Sequence, residues 1–154
     1  MAGNAELIRR LYDALDRHDG DAMASLYAAR GRFHDPAFGE LTGAEAGDMW
    51  RMLTGRAEDL RVELADHSAE GDSGSAHWIA HYTFTRTGRT VVNDVHAVFR
   101  FSEGLITEHE DSFPFWRWAR QAFGPAGLVL GLPPMNLLIR RRARADLAGF
   151  RADR

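Results

Sequence analysis

The sequence of 154 residues contains no cysteine. Disulfides, thiolate zinc sites, iron–sulfur clusters and cysteine nucleophiles are therefore excluded within this chain. Lysine is absent as well, so all 19 basic residues are arginines. Without lysine the chain cannot form a lysine Schiff base, anchor pyridoxal phosphate or build a Walker phosphate-binding loop. These absences remove several classes of enzyme.

Long apolar runs are also missing. The longest apolar segment, residues 126–132, falls far short of the ~20 residues that a transmembrane helix needs. Residues 1–10 show no charged segment followed by the apolar stretch of a secretory signal. We therefore expect a cytoplasmic protein without stable membrane insertion.

Charge is distributed unevenly along the chain. The net charge is −3, but the segment from Arg117 onward has eight arginines against two acidic residues, which leaves the preceding part at −9. Phosphate backbones require a broad basic face, so we predict no nucleic-acid partner. The apolar content of 45% and charged content of 27% are those of a globular protein, and the length suits one core.

Three helices are predicted before residue 56, because apolar residues recur at spacings of three and four. The first covers residues 4–17, and Asp21 can cap a short second helix. Thr42 and Glu45 have the spacing of a capping box, which begins a third helix ending near Gly55. The apolar positions of the three helices are Ile8, Leu11, Tyr12 and Leu15; Met23, Leu26 and Tyr27; and Met49, Trp50 and Leu53.

Strand patterns surround and follow the third helix. Residues 31–35 predict a short strand that Pro36 ends, since proline cannot donate a ladder hydrogen bond. Segments rich in β-branched and aromatic residues, separated by glycine-containing turns, then predict four antiparallel strands. These strands span residues 60–67, 75–86, 89–102 and 105–113. Helices followed by such a meander indicate an α+β fold, with the helices covering one face of the sheet.

The C-terminal part is different in character. Residues 115–123 predict a short helix, and residues 124–134 form an apolar connector rich in glycine and proline. An amphipathic helix then begins at Met135, with Arg140, Arg141, Arg142 and Arg144 largely outside its apolar stripe.

Several short motifs resemble one superfamily. They are Phe33-His34-Asp35-Pro36 with Gly39 and Thr42-Gly43, then Phe99-Arg100-Phe101 with Gly104-Leu105-Ile106, and then Glu108-His109-Glu110-Asp111. Their order over about residues 6–124 resembles nuclear transport factor 2, ketosteroid isomerase and the SnoaL-type polyketide cyclases. This resemblance implies a cone-shaped domain at residues 1–124, with residues 125–154 as a helical extension.

The resemblance also implies candidate catalytic positions. Asp35 matches the general-base aspartate that precedes a proline in ketosteroid isomerase. The two oxyanion-hole donors of that family have no match, since Leu11 occupies the tyrosine position, with Tyr12 one place off, and Ala97 the acidic one. Asp111 matches the acid–base aspartate on the last strand of SnoaL-type cyclases and limonene epoxide hydrolases. The Arg-x-Asp pair of those hydrolases is absent.

Strand alternation defines the chamber that the resemblance implies. It places Val95, Ala97, Phe99 and Phe101 on one face of their strand, and Thr107, His109, Asp111 and Phe113 on one face of the next. Burial there would raise a carboxyl pKa towards neutrality, which suits proton transfer. We predict Asp111 as the acid–base residue, assisted by Asp35, with His109 orienting it or sharing its proton. The predicted ligand-lining residues are Tyr12, Trp50, Trp78, Tyr82, Phe84, Ala97, Phe99 and Phe101.

Simpler interpretations exist for the same residues. Asp35 before proline is a common turn starter, Asp111 can merely tie down a sheet end, and the aromatic set can be plain core. His77 and His81 have the spacing of a helical zinc pair, but on a strand they lie about 13 Å apart. We therefore predict no metal site and no cofactor.

Three functional hypotheses remain open. The first is a cofactor-independent isomerase, cyclase or epoxide-opening enzyme acting on a small hydrophobic molecule. The second is a non-catalytic protein that binds such a ligand, and the third is a structural dimer with a filled core. The apolar side of the C-terminal helix needs cover, either over the mouth of the cone or against a second copy, and we expect a homodimer.

Overall fold

A computed structural model describes residues 3–154, which form six helices and one six-stranded sheet. This confirms the predicted α+β class. The helices are α1 (Asn4–Asp16), α2 (Gly20–Ala24), α3 (Gly43–Arg56), α4 (Phe115–Phe123), α5 (Gly127–Leu130) and α6 (Asn136–Ala152). The strands are β1 (Tyr27–Asp35), β2 (Gly39–Thr42), β3 (Arg61–Glu70), β4 (Ser73–Phe84), β5 (Arg89–Ser102) and β6 (Leu105–Ser112).

The sheet has the order β2-β1-β6-β5-β4-β3 and is curved without closing. Strands β3 to β6 form the predicted antiparallel meander, and β1 joins it by pairing in parallel with β6. Irregular registers in β3 near Ala65 and in β6 near Thr107 bend the strands. The hairpin partner β2 was not predicted, because its four residues are too few for a period to show.

The core lies between the helices and the inner face of the sheet. Alternate residues of β5 are buried as predicted, from Val95 to Phe101. On β6 the bulge changes the phase, so Ile106 is buried instead of the predicted Thr107. Apolar residues of α1 complete the same cluster, namely Leu7, Ile8, Leu11, Tyr12 and Leu15.

The segment around α2 differs from the prediction. Asp19 caps this helix, accepting a hydrogen bond of 3.0 Å from the Ala22 N–H, so the assignment of Asp21 was wrong. Helix α2 ends at Ala24, and Tyr27 begins β1 instead of lying on a helical face. The reason is tertiary, since the backbone at Leu26 and Tyr27 is already paired with Ile106 of β6.

Helix α3 begins as predicted. The Thr42 side chain accepts from the Glu45 N–H at 3.1 Å, and the Glu45 side chain accepts from the Thr42 N–H at 3.0 Å. Gly43 follows because the helix starts hard against β1, where a Cβ would lie 1.8 Å from the Ala28 carbonyl oxygen. The capping box thus sets the position of α3 relative to β1.

Helix α6 is attached to the turn between β1 and β2. Arg144 Nη1 donates to the carbonyl oxygens of Phe38, at 2.8 Å, and Glu40, at 2.9 Å. Arg140 Nη2 donates to the Pro36 carbonyl oxygen at 3.3 Å. These two arginines therefore face the domain, although the sequence predicted Arg140, Arg141, Arg142 and Arg144 to lie largely outside the apolar stripe. Among the described residues, no helix combines the length and apolar character needed to cross a bilayer.

Replacing Arg144 with alanine tests how α6 is held. Loss of two charge-assisted hydrogen bonds should lower the free energy of unfolding by about 2–3 kcal/mol, measured by urea denaturation. The control is Arg142→Ala, which removes only an exposed ion pair with Asp146 and should change stability by less than about 0.5 kcal/mol. Equal effects of the two substitutions would show that the Arg144 contacts do not hold α6.

Candidate active site

Asp35 lies at the carboxyl end of β1 and is 9% exposed. Its Oδ1 accepts a hydrogen bond of 2.6 Å from the Phe38 N–H. Burial raises the pKa of this carboxyl group to about 7; the N–H groups of Phe38 and Ala37 oppose the rise, and the charge of Asp111 adds to it. Asp35 is therefore both a turn residue and a carboxyl group that exchanges its proton near neutral pH.

Asp111 and His109 are neighbours on the inner face of β6, as predicted. Both are buried, and His109 Nε2 lies 2.8 Å from Asp111 Oδ1. Ala97 is directly opposite Asp111 on β5, and its small side chain leaves room for the carboxylate. The structure thus brings His109 and Asp111 into direct contact, and places Asp35 within range of the Asp111 charge.

A chain of hydrogen bonds fixes the protons around His109. Trp50 Nε1 can only donate, and it lies 3.0 Å from the Tyr27 hydroxyl. At the other end, the Asp111 carboxylate can only accept, so His109 Nε2 carries the ring proton and donates it to Asp111 at 2.8 Å. In this neutral tautomer Nδ1 is an acceptor, and it takes the proton of the Tyr27 hydroxyl at 2.8 Å.

Tyr27 was not predicted as a site residue. Its hydroxyl connects α3, β1 and β6, and burial raises the pKa of its phenol well above the ordinary value. The sequence did contain a clue to its position, because Tyr27 is separated from Phe33 and Asp35 by even numbers of residues. Counting back by two from those positions would have placed it on the inner face of β1.

Tyr12 and Trp78 bring two further polar groups into the interior. Their rings lie 5.2 Å apart, and both the Tyr12 hydroxyl and Trp78 Nε1 are buried without a hydrogen-bond partner among residues 3–154. Burial, followed by the charge of Asp111, raises the pKa of Tyr12 well above its ordinary value. Tyr12 is therefore a protonated donor inside the domain, although the sequence resemblance left it one place from the expected position.

Tyr82 and Phe84 lie towards a second apolar cluster. The Tyr82 hydroxyl accepts from Trp118 Nε1 at 2.7 Å, and burial raises the pKa of Tyr82 to about 12. Phe84 packs edge-on against Trp118 and Phe123. Phe84 thus packs in the apolar cluster beneath α4, and its place in a chamber with Asp111 stays a prediction.

The other predicted lining residues contact one another. Trp50 lies edge-on to Trp78, and Phe99 stacks on Phe101 at 5.8 Å and tilts onto the His109 ring at 4.3 Å. Of two depressions of about 530 and 520 Å³, one is lined by residues of β1, β5 and β6, including Phe99 and His109, and the other lies beside α6. Neither of these two is lined by Asp35 or Asp111.

One cluster has the chemistry of a metal site. His77 is opposite His96 on the outward face of β4 and β5, and its Nε2 lies 2.6 Å from Asp94 Oδ1. The candidate ligand atoms of His77, Asp94 and His96 all lie within 4.8 Å of one another. Two imidazoles and a carboxylate are suitable ligands for a divalent transition metal. His81 lies on the same strand outside this group, in agreement with the rejection of a His77–His81 pair; the expected absence of metal stays a prediction.

Comparisons with known proteins agree with this architecture. The profile of the SnoaL-like domain matches residues 8–109. No curated protein matches the sequence. The structure is similar to a hypothetical protein with a ketosteroid isomerase-like fold from Catenulispora acidiphila, solved with trimethylamine, at a TM-score of 0.68 and 21% identity over 79% of this chain and 95% of that one.

Two further similar structures come from proteins described by activity. One is an LEH-like epoxide hydrolase of M. tuberculosis, with a TM-score of 0.65 and 19% identity over 82% of this chain and 92% of that one. The other is a candidate polyketide cyclase of Xanthomonas campestris, with a TM-score of 0.63 and 23% identity over 75% and 93%. At these identities the likeness establishes the fold alone.

Asp35→Asn tests whether burial makes the charged form of the Asp35 carboxyl group unfavourable in the folded protein. A carboxyl group whose pKa rises from 3.8 to about 7 on folding binds its proton more tightly in the folded chain, so stability is lost as the pH rises through this range. Wild-type protein should lose about 2–3 kcal/mol between pH 5 and pH 8 relative to Asp35→Asn, measured by urea unfolding. Glu110→Gln, at an exposed position of β6, should follow the wild type. Parallel curves for wild type and Asp35→Asn would contradict the prediction.

Tyr27→Phe and Tyr12→Phe form a matched pair, since each removes one buried hydroxyl. The first leaves Trp50 Nε1 and His109 Nδ1 unpartnered and should cost about 2–4 kcal/mol of unfolding free energy. The second removes a group without a partner and should be neutral or stabilising. Chemical denaturation of both variants checks this, and a large loss for Tyr12→Phe would show that its hydroxyl is partnered.

Proposed function

Because this chain belongs to the SnoaL-like domain family, we propose that it binds a small, largely apolar molecule inside the domain and transfers a proton on it by acid–base chemistry. The observation that carries the proposal is Asp35, a buried carboxyl group with a pKa of about 7 that lies within range of the charge of a second buried carboxyl group, Asp111. The described interior also contains two buried donors without a hydrogen-bond partner, the Tyr12 hydroxyl and Trp78 Nε1. Isomerisation, cyclisation and epoxide opening each include a proton transfer that a carboxyl group of this kind can perform.

Asp35 is the residue best suited to exchange the proton. With a pKa of about 7 it is present in both protonation states near neutral pH, so it can accept a proton and return it. A carboxyl group of ordinary pKa would be a weaker base. This shifts the main role from Asp111, which the sequence favoured, to Asp35.

A ketone substrate illustrates the step. The Asp35 carboxylate accepts a proton from the carbon next to the carbonyl group, and the electron pair of the C–H bond moves onto the carbonyl oxygen. The resulting oxyanion accepts hydrogen bonds from the Tyr12 hydroxyl and Trp78 Nε1, which have no other partner. Asp35 then returns the proton to carbon, so atoms and charge balance over the cycle.

Asp111 and His109 set the electrostatics of the site. The proton on His109 Nε2 is directed at Asp111, so it holds this carboxylate in place. The Asp111 charge in turn raises the pKa of Asp35. His109 is thus a positioning residue, as the sequence suggested, and Asp111 supplies the negative charge that makes Asp35 a better base.

A structural protein that performs no chemistry is the second candidate. It is favoured by the close packing of the aromatic side chains against each other and by two depressions that are lined by neither Asp35 nor Asp111. The two candidates differ in the role of Asp35. An enzyme depends on proton exchange at this carboxyl group, whereas a purely structural protein does not.

Deuterium exchange at a ketone tests proton transfer without knowledge of the natural substrate. With 2-tetralone in D₂O, proton NMR should show that the wild type accelerates exchange at C1, and that the rate rises with pH through about 7 as Asp35 loses its proton. Asp35→Asn should lower the enzymatic rate about a hundredfold or more while the protein stays folded.

Glu110→Gln is the control and should exchange deuterium like the wild type, since its side chain is exposed. Tyr12→Phe should reduce the rate about tenfold or more, because one oxyanion donor is lost. If neither 2-tetralone nor a panel of cyclic enones and naphthols shifts the melting temperature or exchanges deuterium, the structural alternative is favoured.

A further inference from the structure

Exposed apolar side chains are concentrated in one part of the described chain. Of eight large hydrophobic residues with high exposure, six lie between residues 116 and 138. Five of them form what we call the apolar tip, with exposures between 45% and 60%. The residues of the apolar tip are Leu128, Val129, Leu132, Leu137 and Leu138.

The chain geometry holds the apolar tip together. Helix α5 ends at Leu130 and α6 begins at Asn136, and the chain between them turns back on itself. The Asn136 N–H donates to the Leu132 carbonyl oxygen at 2.9 Å, and the Leu137 N–H donates to the Pro134 carbonyl oxygen at 3.1 Å. The apolar side chains are therefore presented by one compact, hydrogen-bonded corner instead of an extended loop.

Arginines surround this corner, and acidic residues are absent from it. No Asp or Glu occurs from residue 112 to residue 145, whereas this stretch contains six arginines. Arg117 and Arg120 are exposed on α4, and Arg141 and Arg142 are exposed one helical turn beyond Leu137 and Leu138. The rest of the chain is strongly acidic, so the positive charge is localised at the apolar tip.

We propose that the apolar tip binds the surface of an anionic lipid bilayer. Exposed aliphatic side chains bordered by arginines match the two parts of such a surface, the acyl chains and the negatively charged headgroups. A second copy of this chain would bring the same arginines together, with only Asp146 and Asp153 to offset them in this segment. Charge complementarity therefore favours lipid, and the binding is peripheral, since the tip is far too short to cross a bilayer.

The position of α6 gives such binding a consequence for the interior. The same helix that presents Leu137 and Leu138 reaches the end of β1, where Arg140 contacts the Pro36 carbonyl beside Asp35. Lipid binding at the start of α6 would thus occur close to the buried carboxyl group. The lipid proposal does not depend on the proposed acid–base activity, and its test requires no substrate.

Sedimentation of the full chain with vesicles tests the proposal. Vesicles of phosphatidylcholine with about one third phosphatidylglycerol should bind the protein about tenfold or more tightly than pure phosphatidylcholine, and high salt should weaken the binding. Leu137→Ser with Leu138→Ser should weaken binding about tenfold or more, as should Arg141→Glu with Arg142→Glu.

The matched control is Val92→Ser with Val98→Ser, which removes two equally exposed apolar side chains from the sheet and should leave vesicle binding unchanged. Circular dichroism confirms that each variant is folded. Absence of binding to anionic vesicles, or equal loss in the control, would overturn the proposal. It would also be overturned if sedimentation equilibrium showed a dimer that Leu137→Ser with Leu138→Ser dissociates, since a second copy would then cover the tip.

Discussion

The hydrogen-bonded chain from Trp50 through Tyr27 and His109 to Asp111 is the interaction on which the site depends. It connects α3, β1 and β6, three elements that are far apart in sequence. Each member is buried, so a missing partner would cost about 1–3 kcal/mol. Tryptophan can only donate and a carboxylate can only accept, so Trp50 is the donor at one end of the chain and Asp111 the acceptor at the other.

The hydrogen-bonded chain stabilises the fold, whereas the burial of Asp35 costs stability when its carboxyl group is charged. Its backbone hydrogen bond shapes the turn after β1, yet its burial beside Asp111 opposes ionisation. A residue selected for stability alone would avoid this position or be neutral there. Helix α6 contributes to the burial, because its arginines bind the carbonyl groups of the same turn. The extension after the meander is therefore part of the environment of Asp35.

Local patterns predicted the elements well, and tertiary pairing explains the errors. The capping box at Thr42 and Glu45 acts within four residues, and the alternation of β5 follows from the pleat, so both were readable. Tyr27 was assigned to a helix because its parallel partner on β6 is some eighty residues away. The packing of Phe84 beneath α4 was not predicted, because nothing in its own strand shows that α4 covers it.

The sequence by itself determined the fold class and the absence of thiol and lysine chemistry, which follow from composition and from short-range periodicity along the chain. It also indicated Asp35 and Asp111, which the resemblance of their motifs to the family implied as interior carboxyl groups. Only the tertiary structure decided that Tyr27 orders His109, that Tyr12 and Trp78 have unpartnered donors, and that Arg140 and Arg144 turn inward. Hydrogen-bond partners and burial are set by residues brought together through space, and a one-dimensional pattern does not contain those distances.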